Sequence, residues 1–269
     1  MEGVTANWGF LKASSDEEKE ATPEEKRSQQ GAKRVSEEMM GSGDLKEPLL
    51  ENVESDDPPR FKPVNKNVSF EISDGDLLCV IGKVGSGKSS LLATVMGETV
   101  VTSGSVQRHG RMAYVEQEPC ILSDSVRNNI TFGLPLDEDR LREVIEVCEL
   151  REDLKLFARG LDTEIGERGV NISGGQKARL SLARACYSDA DIYLLDDPLS
   201  AVDPNVAQRI FKNCIAGFLS QKARILVTHQ LSFLNRVDSI LMLENGAQLF
   251  LGSYAELKKY ECDRGSELC

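Results

Sequence analysis

No stretch of this sequence stays apolar for long. The longest uninterrupted runs, such as Leu77 to Ile81, hold about five residues, whereas a membrane-spanning helix needs roughly 20, so the chain is not expected to cross a bilayer. Positive charge is scarce as well. Lys and Arg number 32 against 44 Asp and Glu, a formal net charge of −12 that argues against a nucleic-acid partner or an anionic lipid surface. The start, Met1-Glu2-Gly3-Val4, lacks a basic region followed by an apolar one, so no secretory leader is expected. The seven cysteines are odd in number, scattered and without a Cys-x-x-Cys pair. That pattern fits a reducing compartment, with most thiols serving as small buried packing groups.

What remains is an ordinary folding composition. With 269 residues, 40% apolar and 28% charged, the chain can bury the core of one large domain or two small ones without covalent staples. Between Phe10 and Arg60 the pattern changes: fourteen acidic and eight basic residues give this stretch half of the net charge. It carries few large apolar groups, so burial cannot offset the entropy of ordering, and residues 10–64 are expected to be a disordered acidic insertion. Within it, Lys33-Arg34-Val35-Ser36 places basic residues before a serine as a basophilic protein kinase prefers, which makes Ser36 a candidate phosphorylation site. Ser14 and Ser15, ahead of acidic residues, suit an acidophilic kinase.

From Lys62 onward, strand-length apolar runs alternate with helix-length periodic segments. Strands are expected at 68–72, 77–81, 192–195, 225–227 and 240–243, and helices at 88–96, 137–148, 175–186 and 206–219. This alternation predicts an α/β fold with a mainly parallel sheet covered by helices. Asn245-Gly246 between two apolar runs predicts a hairpin, and Ser253-x-x-Glu256 a capping box opening a last short helix.

Three motifs carry chemistry. Gly82-Lys83-Val84-Gly85-Ser86-Gly87-Lys88-Ser89, followed by Ser90, is a phosphate-loop pattern lying after a buried strand and before a helix. Its glycines let amides turn inward around phosphates, Lys88 supplies a point charge, and the Ser89 hydroxyl is placed to ligate Mg²⁺. Ile192 to Asp197 is an apolar strand ending in two carboxylates, with Asp196 expected to hold the metal and Asp197 to orient an attacking water. Ser173-Gly174-Gly175-Gln176 opens a second helix with exposed backbone donors, a second anion site.

Together these residues resemble the nucleotide-binding domains of ABC transporters. Ile172 to Gln176 is similar to the signature motif, Gln117 to the Q-loop, Ser200-Ala201-Val202-Asp203 to the D-loop and His229 to the switch histidine, in family order from Asn67 to about Lys259. Thr163 to Gly169 resembles the loop of exporter-type members that meets the membrane domain, and the stretch from Ala183 through Asp203 is most similar to the C subfamily, particularly its first nucleotide-binding domain.

The resemblance implies a P-loop NTPase core with a small antiparallel β-subdomain and an inserted helical signature subdomain at about residues 120–182. The ATP-binding domain would span 65–262 and be followed by a flexible tail at 263–269. Residues 1–9 would form a first strand ending at Trp8, the aromatic that stacks on adenine. ATP and Mg²⁺ are the implied cofactors, with Gln117 contacting the metal and Asp197, His229 and Gln117 acting catalytically. Ser173, Gly174, Gly175 and Gln176 would serve a nucleotide held by a second nucleotide-binding domain in a head-to-tail dimer. Transmembrane domains would be the other partner, at the cytosolic face of a membrane. Asp197 stands where the family usually has Glu, which implies weak hydrolysis by an exporter domain or, alternatively, a regulatory module gating a channel or receptor.

Overall fold

The computed structural model describes residues 3–7 as backbone, then 64–166 and 171–263. The acidic stretch, Ser14, Ser15, Ser36, Trp8, the segment Glu167 to Gly169 and the tail beyond Asp263 lie outside the described residues.

Strand β1 (Gly3–Asn7) pairs antiparallel with β2 (Phe70–Ser73). The turn Asp74-Gly75 leads into β3 (Leu77–Ile81), buried along its whole length. Helix α1 (Lys88–Met96) follows at once, burying Leu91, Leu92 and Val95 on one face and ending where Gly97 adopts a left-handed cap. After β4 (Ser105–Gln107), which pairs antiparallel with β1, comes β5 (Met112–Val115). Four helices then follow: α2 (Val126–Thr131), α3 (Glu138–Val147), α4 (Arg151–Leu156) and α5 (Gly174–Tyr187). The chain re-enters the main sheet as β6 (Ile192–Asp196), passes through α6 (Pro204–Ile210) and returns as β7 (Ala223–Val227). It closes with β8 (Ser239–Glu244), β9 (Ala247–Gly252) and α7 (Tyr254–Asp263).

Two sheets result. The small one runs β2-β1-β4 and is antiparallel; the larger runs β5-β6-β7-β3-β8-β9, parallel except for the β8–β9 hairpin. The fold is therefore the mixed α/β architecture with a mainly parallel sheet that the sequence predicts. Side chains alternate between two cores, as a two-sided parallel sheet requires. Leu78, Val80, Ile192 and Leu194 pack with α1, whereas Tyr193, Leu195 and Leu226 pack with residues of α3, α5 and α6 on the other face.

The expected helix at 206–219 changes winding. Residues Phe211–Phe218 form a π-helix, in which Leu219 N–H reaches back to the Cys214 carbonyl at 3.0 Å. Buried Arg224 donates to the Ile215 carbonyl of this helix at 2.8 Å. Among the described residues five cysteines are free and four of these are buried, which agrees with most thiols serving as packing groups; Cys262 is disulfide-bonded.

Candidate nucleotide site

The parallel strands β3, β5, β6 and β7 all point their C-terminal ends to one edge, where ligands of open α/β sheets bind. Each end delivers one part of the site. Beyond β3 the phosphate loop curls into α1, with Gly87 at the N-cap in a left-handed conformation, φ 96°. Beyond β5 comes Gln117, at the end of β6 come Asp196 and Asp197, and beyond β7 comes His229. A cleft of about 220 Å³ is lined by Val84, Gly85, Gly87, Lys88, Ser89, Ser90, Gln117, Asp196, Asp197 and His229. Gly82, Lys83 and Ser86 complete the loop without lining the cleft.

Lys88 is buried and folds its ammonium over the loop, where Nζ donates to the Gly82 and Lys83 carbonyls at 2.8 and 3.0 Å. Burial lowers its pKa, while the charges of Asp196 and Asp197 oppose that shift. Both carboxylates are buried too. Burial holds Asp197 above the ordinary carboxylate range, against the pull of His229 and Lys88. Asp197 also takes a left-handed backbone, φ 47°, strained for a residue with a side chain.

Two polar atoms here are buried without a hydrogen-bond partner, Ser86 Oγ and Asp197 Oδ1. Buried polar atoms are seldom left so. A phosphate group with its metal would bring positive charge to Asp197, the one of the two that lines the cleft. The residues present thus fit a Mg²⁺-bound nucleotide tail.

The second anion motif lies elsewhere. Ser173 caps α5, its Oγ accepting from Gln176 N–H at 3.2 Å while Gln176 Oε1 accepts from Ser173 N–H at 2.8 Å. Gln176 Nε2 also donates to Asp153 Oδ1 at 3.0 Å, so both ends of this amide are engaged within the chain. Ser173 and Gly174 are exposed. None of the four residues from Ser173 to Gln176 lines the cleft.

Sequence reasoning missed several supports. Gly246 of the β8–β9 hairpin donates its N–H to the Ser86 carbonyl at 3.0 Å, and Asn65 Nδ2 donates to the Gly87 carbonyl at 3.1 Å, propping the phosphate loop from behind. Tyr114 on β5 reaches Asp196 Oδ2 at 3.5 Å; burial and that carboxylate push its hydroxyl up to about 12. The hairpin dipeptide was readable as a turn, but nothing local to it signals the loop it touches.

Phosphate loop, strand-end carboxylate and sheet order define a P-loop nucleotide-binding fold. The model of the ABC transporter family matches residues 65–200, and the chain belongs to that family. Similar curated proteins include members of the C subfamily. It is 50% identical over 206 residues to the human ATP-binding cassette sub-family C member 4, covering 77% of this chain and 16% of that protein. It is 48% identical over 206 residues to ABC transporter C family member 2 of Dictyostelium discoideum, covering 77% and 15%. Against the cystic fibrosis transmembrane conductance regulator of Danio rerio it is 44% identical over 206 residues, covering 77% and 14%. The chain therefore spans less than a fifth of the length of these relatives. No helix among the described residues is long and apolar enough to cross a membrane.

Proposed function

We propose that this chain is a Mg-ATP-binding, weakly hydrolysing domain that powers an ABC exporter from the cytosolic face of a membrane. The observation that carries the reading is the single cleft into which Lys88, Ser89, Gln117, Asp196, Asp197 and His229 converge from four parallel strands. Ser89, Gln117 and Asp196 would hold Mg²⁺, which when bound neutralises phosphate charge. Lys88 and the loop amides bind and orient the β- and γ-phosphates. Asp197 accepts a proton from the attacking water and His229 donates to the phosphate oxygens. The Asp197 side chain is one methylene shorter than Glu, about 1.5 Å of reach, and misplacement of that size costs on the order of a hundredfold in rate.

The exposed Ser173-Gly174 end of α5, outside the chain's own cleft, supports a head-to-tail dimer in which it closes on a partner domain's nucleotide. A groove edged by the exposed apolar residues Leu122, Phe132, Leu134 and Leu136 supports docking of the transmembrane domains. Ser36 is a proposed target of a protein kinase, and Trp8 a proposed adenine platform.

A second reading, a regulatory module whose ATP occupancy gates a channel or receptor, is favoured by the short Asp197 and by the likeness to a conductance regulator. Titration with Mg-ATP tests the shared premise. Lys88→Ala should weaken affinity on the order of a hundredfold, about 2.8 kcal/mol; undiminished affinity overturns the assignment. Whether transport or gating in the full-length protein requires hydrolysis then separates the two readings.

A further inference from the structure

Away from the cleft, three helices bring three cysteines together. Cys148 caps the C-terminal end of α3, Cys186 lies in the last turn of α5, and Cys214 sits in the π-helix Phe211–Phe218. All three are free thiols and fully buried. Cys214 Sγ lies 3.4 Å from Cys186 Sγ and 3.9 Å from Cys148 Sγ, and the three sulfurs all fall within 4.8 Å of one another.

We propose that Cys148, Cys186 and Cys214 form a three-coordinate site for a soft, thiophilic cation, specifically monovalent copper. Metal–thiolate bonds of about 2.3 Å set three trigonal sulfurs about 4.0 Å apart, close to the spacing already present. Hard cations such as Mg²⁺ and Ca²⁺ need oxygen ligands, and structural zinc needs four ligands. Among the described residues no fourth His, Cys, Asp or Glu joins this group. Soft sulfur in a dry apolar core instead suits Cu(I); the three cysteines belong to a core that includes Leu141, Leu182 and Phe211.

Three thiolates around one Cu(I) carry a net charge of −2, which one nearby guanidinium, itself paired with Asp189 at 3.3 Å, offsets in part. The Arg140 guanidinium donates to the Cys186 and Tyr187 carbonyls at 2.7 and 3.0 Å, beside the cluster. Binding exchanges S–H for S–Cu bonds. Each displaced proton leaves to solvent, and copper supplied as Cu(I) keeps its oxidation state. The ion would clamp the signature helix α5 to α3 and to the helix that follows the D-loop segment, independently of any nucleotide.

The test is anaerobic titration of the reduced full chain with Cu(I) held by bicinchoninate. One copper per chain should withstand the chelator and raise the melting temperature. Cys186→Ala and Cys214→Ala should each weaken binding by about a hundredfold, whereas Cys79→Ala, Cys120→Ala and Cys262→Ala should bind as the parent does. X-ray absorption on the unaltered chain needs no variant and should count three sulfur neighbours. No retained copper, retention unaffected by the two cluster variants, or fewer than three sulfurs around the metal overturns the proposal. Zinc binding there in preference to copper overturns it equally.

Discussion

The Asp153 carboxylate grips Arg179 at 2.6 Å, in a pair whose side chains are only 10% and 13% exposed. The other carboxylate oxygen of Asp153 accepts from Gln176, so one buried acid on α4 anchors the first two turns of α5. Asp153→Ala would leave Arg179 buried without its counter-charge, a change that costs about 3 kcal/mol. Chemical denaturation should show that loss, while Mg-ATP affinity at the chain's own cleft should stay within about twofold, because neither residue lines it.

Asp197 gives two expected outcomes. On the proposed role of Asp197 as base, Asp197→Glu should raise ATP turnover of the full-length protein by about tenfold or more, since the longer side chain adds the reach that role needs; unchanged turnover would refute the geometric argument. The second outcome concerns stability. The pKa of Asp197 is raised in the folded state, mainly by burial. The folded chain therefore binds this proton more tightly than the unfolded chain does, and the associated stability is present below the ordinary value of 3.8 and lost as pH rises through the raised value. Asp197→Asn should raise the melting temperature at neutral pH, and the gain should vanish in acid below 3.8.

Gly246 has φ 79°, and a Cβ added there would collide with the Val64 carbonyl. Gly246→Ala should therefore cost about 2 kcal/mol in strain. Because the Gly246 N–H holds the Ser86 carbonyl, Mg-ATP affinity should fall by about tenfold with it. Calorimetric titration of the folded variant measures that linkage.

Asn129 is fully buried; its Oδ1 accepts from Leu122 N–H at 2.9 Å and its Nδ2 donates to the Leu122 carbonyl at 3.0 Å. Arg184 donates to its backbone carbonyl and to Oδ1, both at 2.9 Å. Asn129→Ala should destabilise the chain by about 2–3 kcal/mol, the cost of stranding these groups. Hydrogen exchange should quicken first at Leu122, whose N–H is held by Asn129.

Legibility followed the range of the interaction. The helix at 88–96 and the strand at 77–81 have the predicted bounds, because an apolar run, a glycine loop before the helix and a glycine at its end are all local signals. The strand expected at 68–72 starts instead at Phe70, after Asn67 turns to φ 50°. Helices α2 and α4 and strands β4 and β5 went unread. They are three to six residues long, and α2, with the sequence VRNNIT, is held by the Asn129 and Arg184 network more than by propensity.

Read alone, the chain of residues pointed to a phosphate loop on a strand–helix junction, a strand ending in paired acids and a glycine-rich helix start, since backbone geometry over a few neighbours dictates each. Only the tertiary structure decided that Gln117, Asp196 and His229 meet Lys88 at one edge, that a hairpin turn braces the phosphate loop, and that Cys148, Cys186 and Cys214 converge. Those meetings depend on strand order and helix packing, which arise from pairing between residues far apart along the chain and leave no mark in any local pattern.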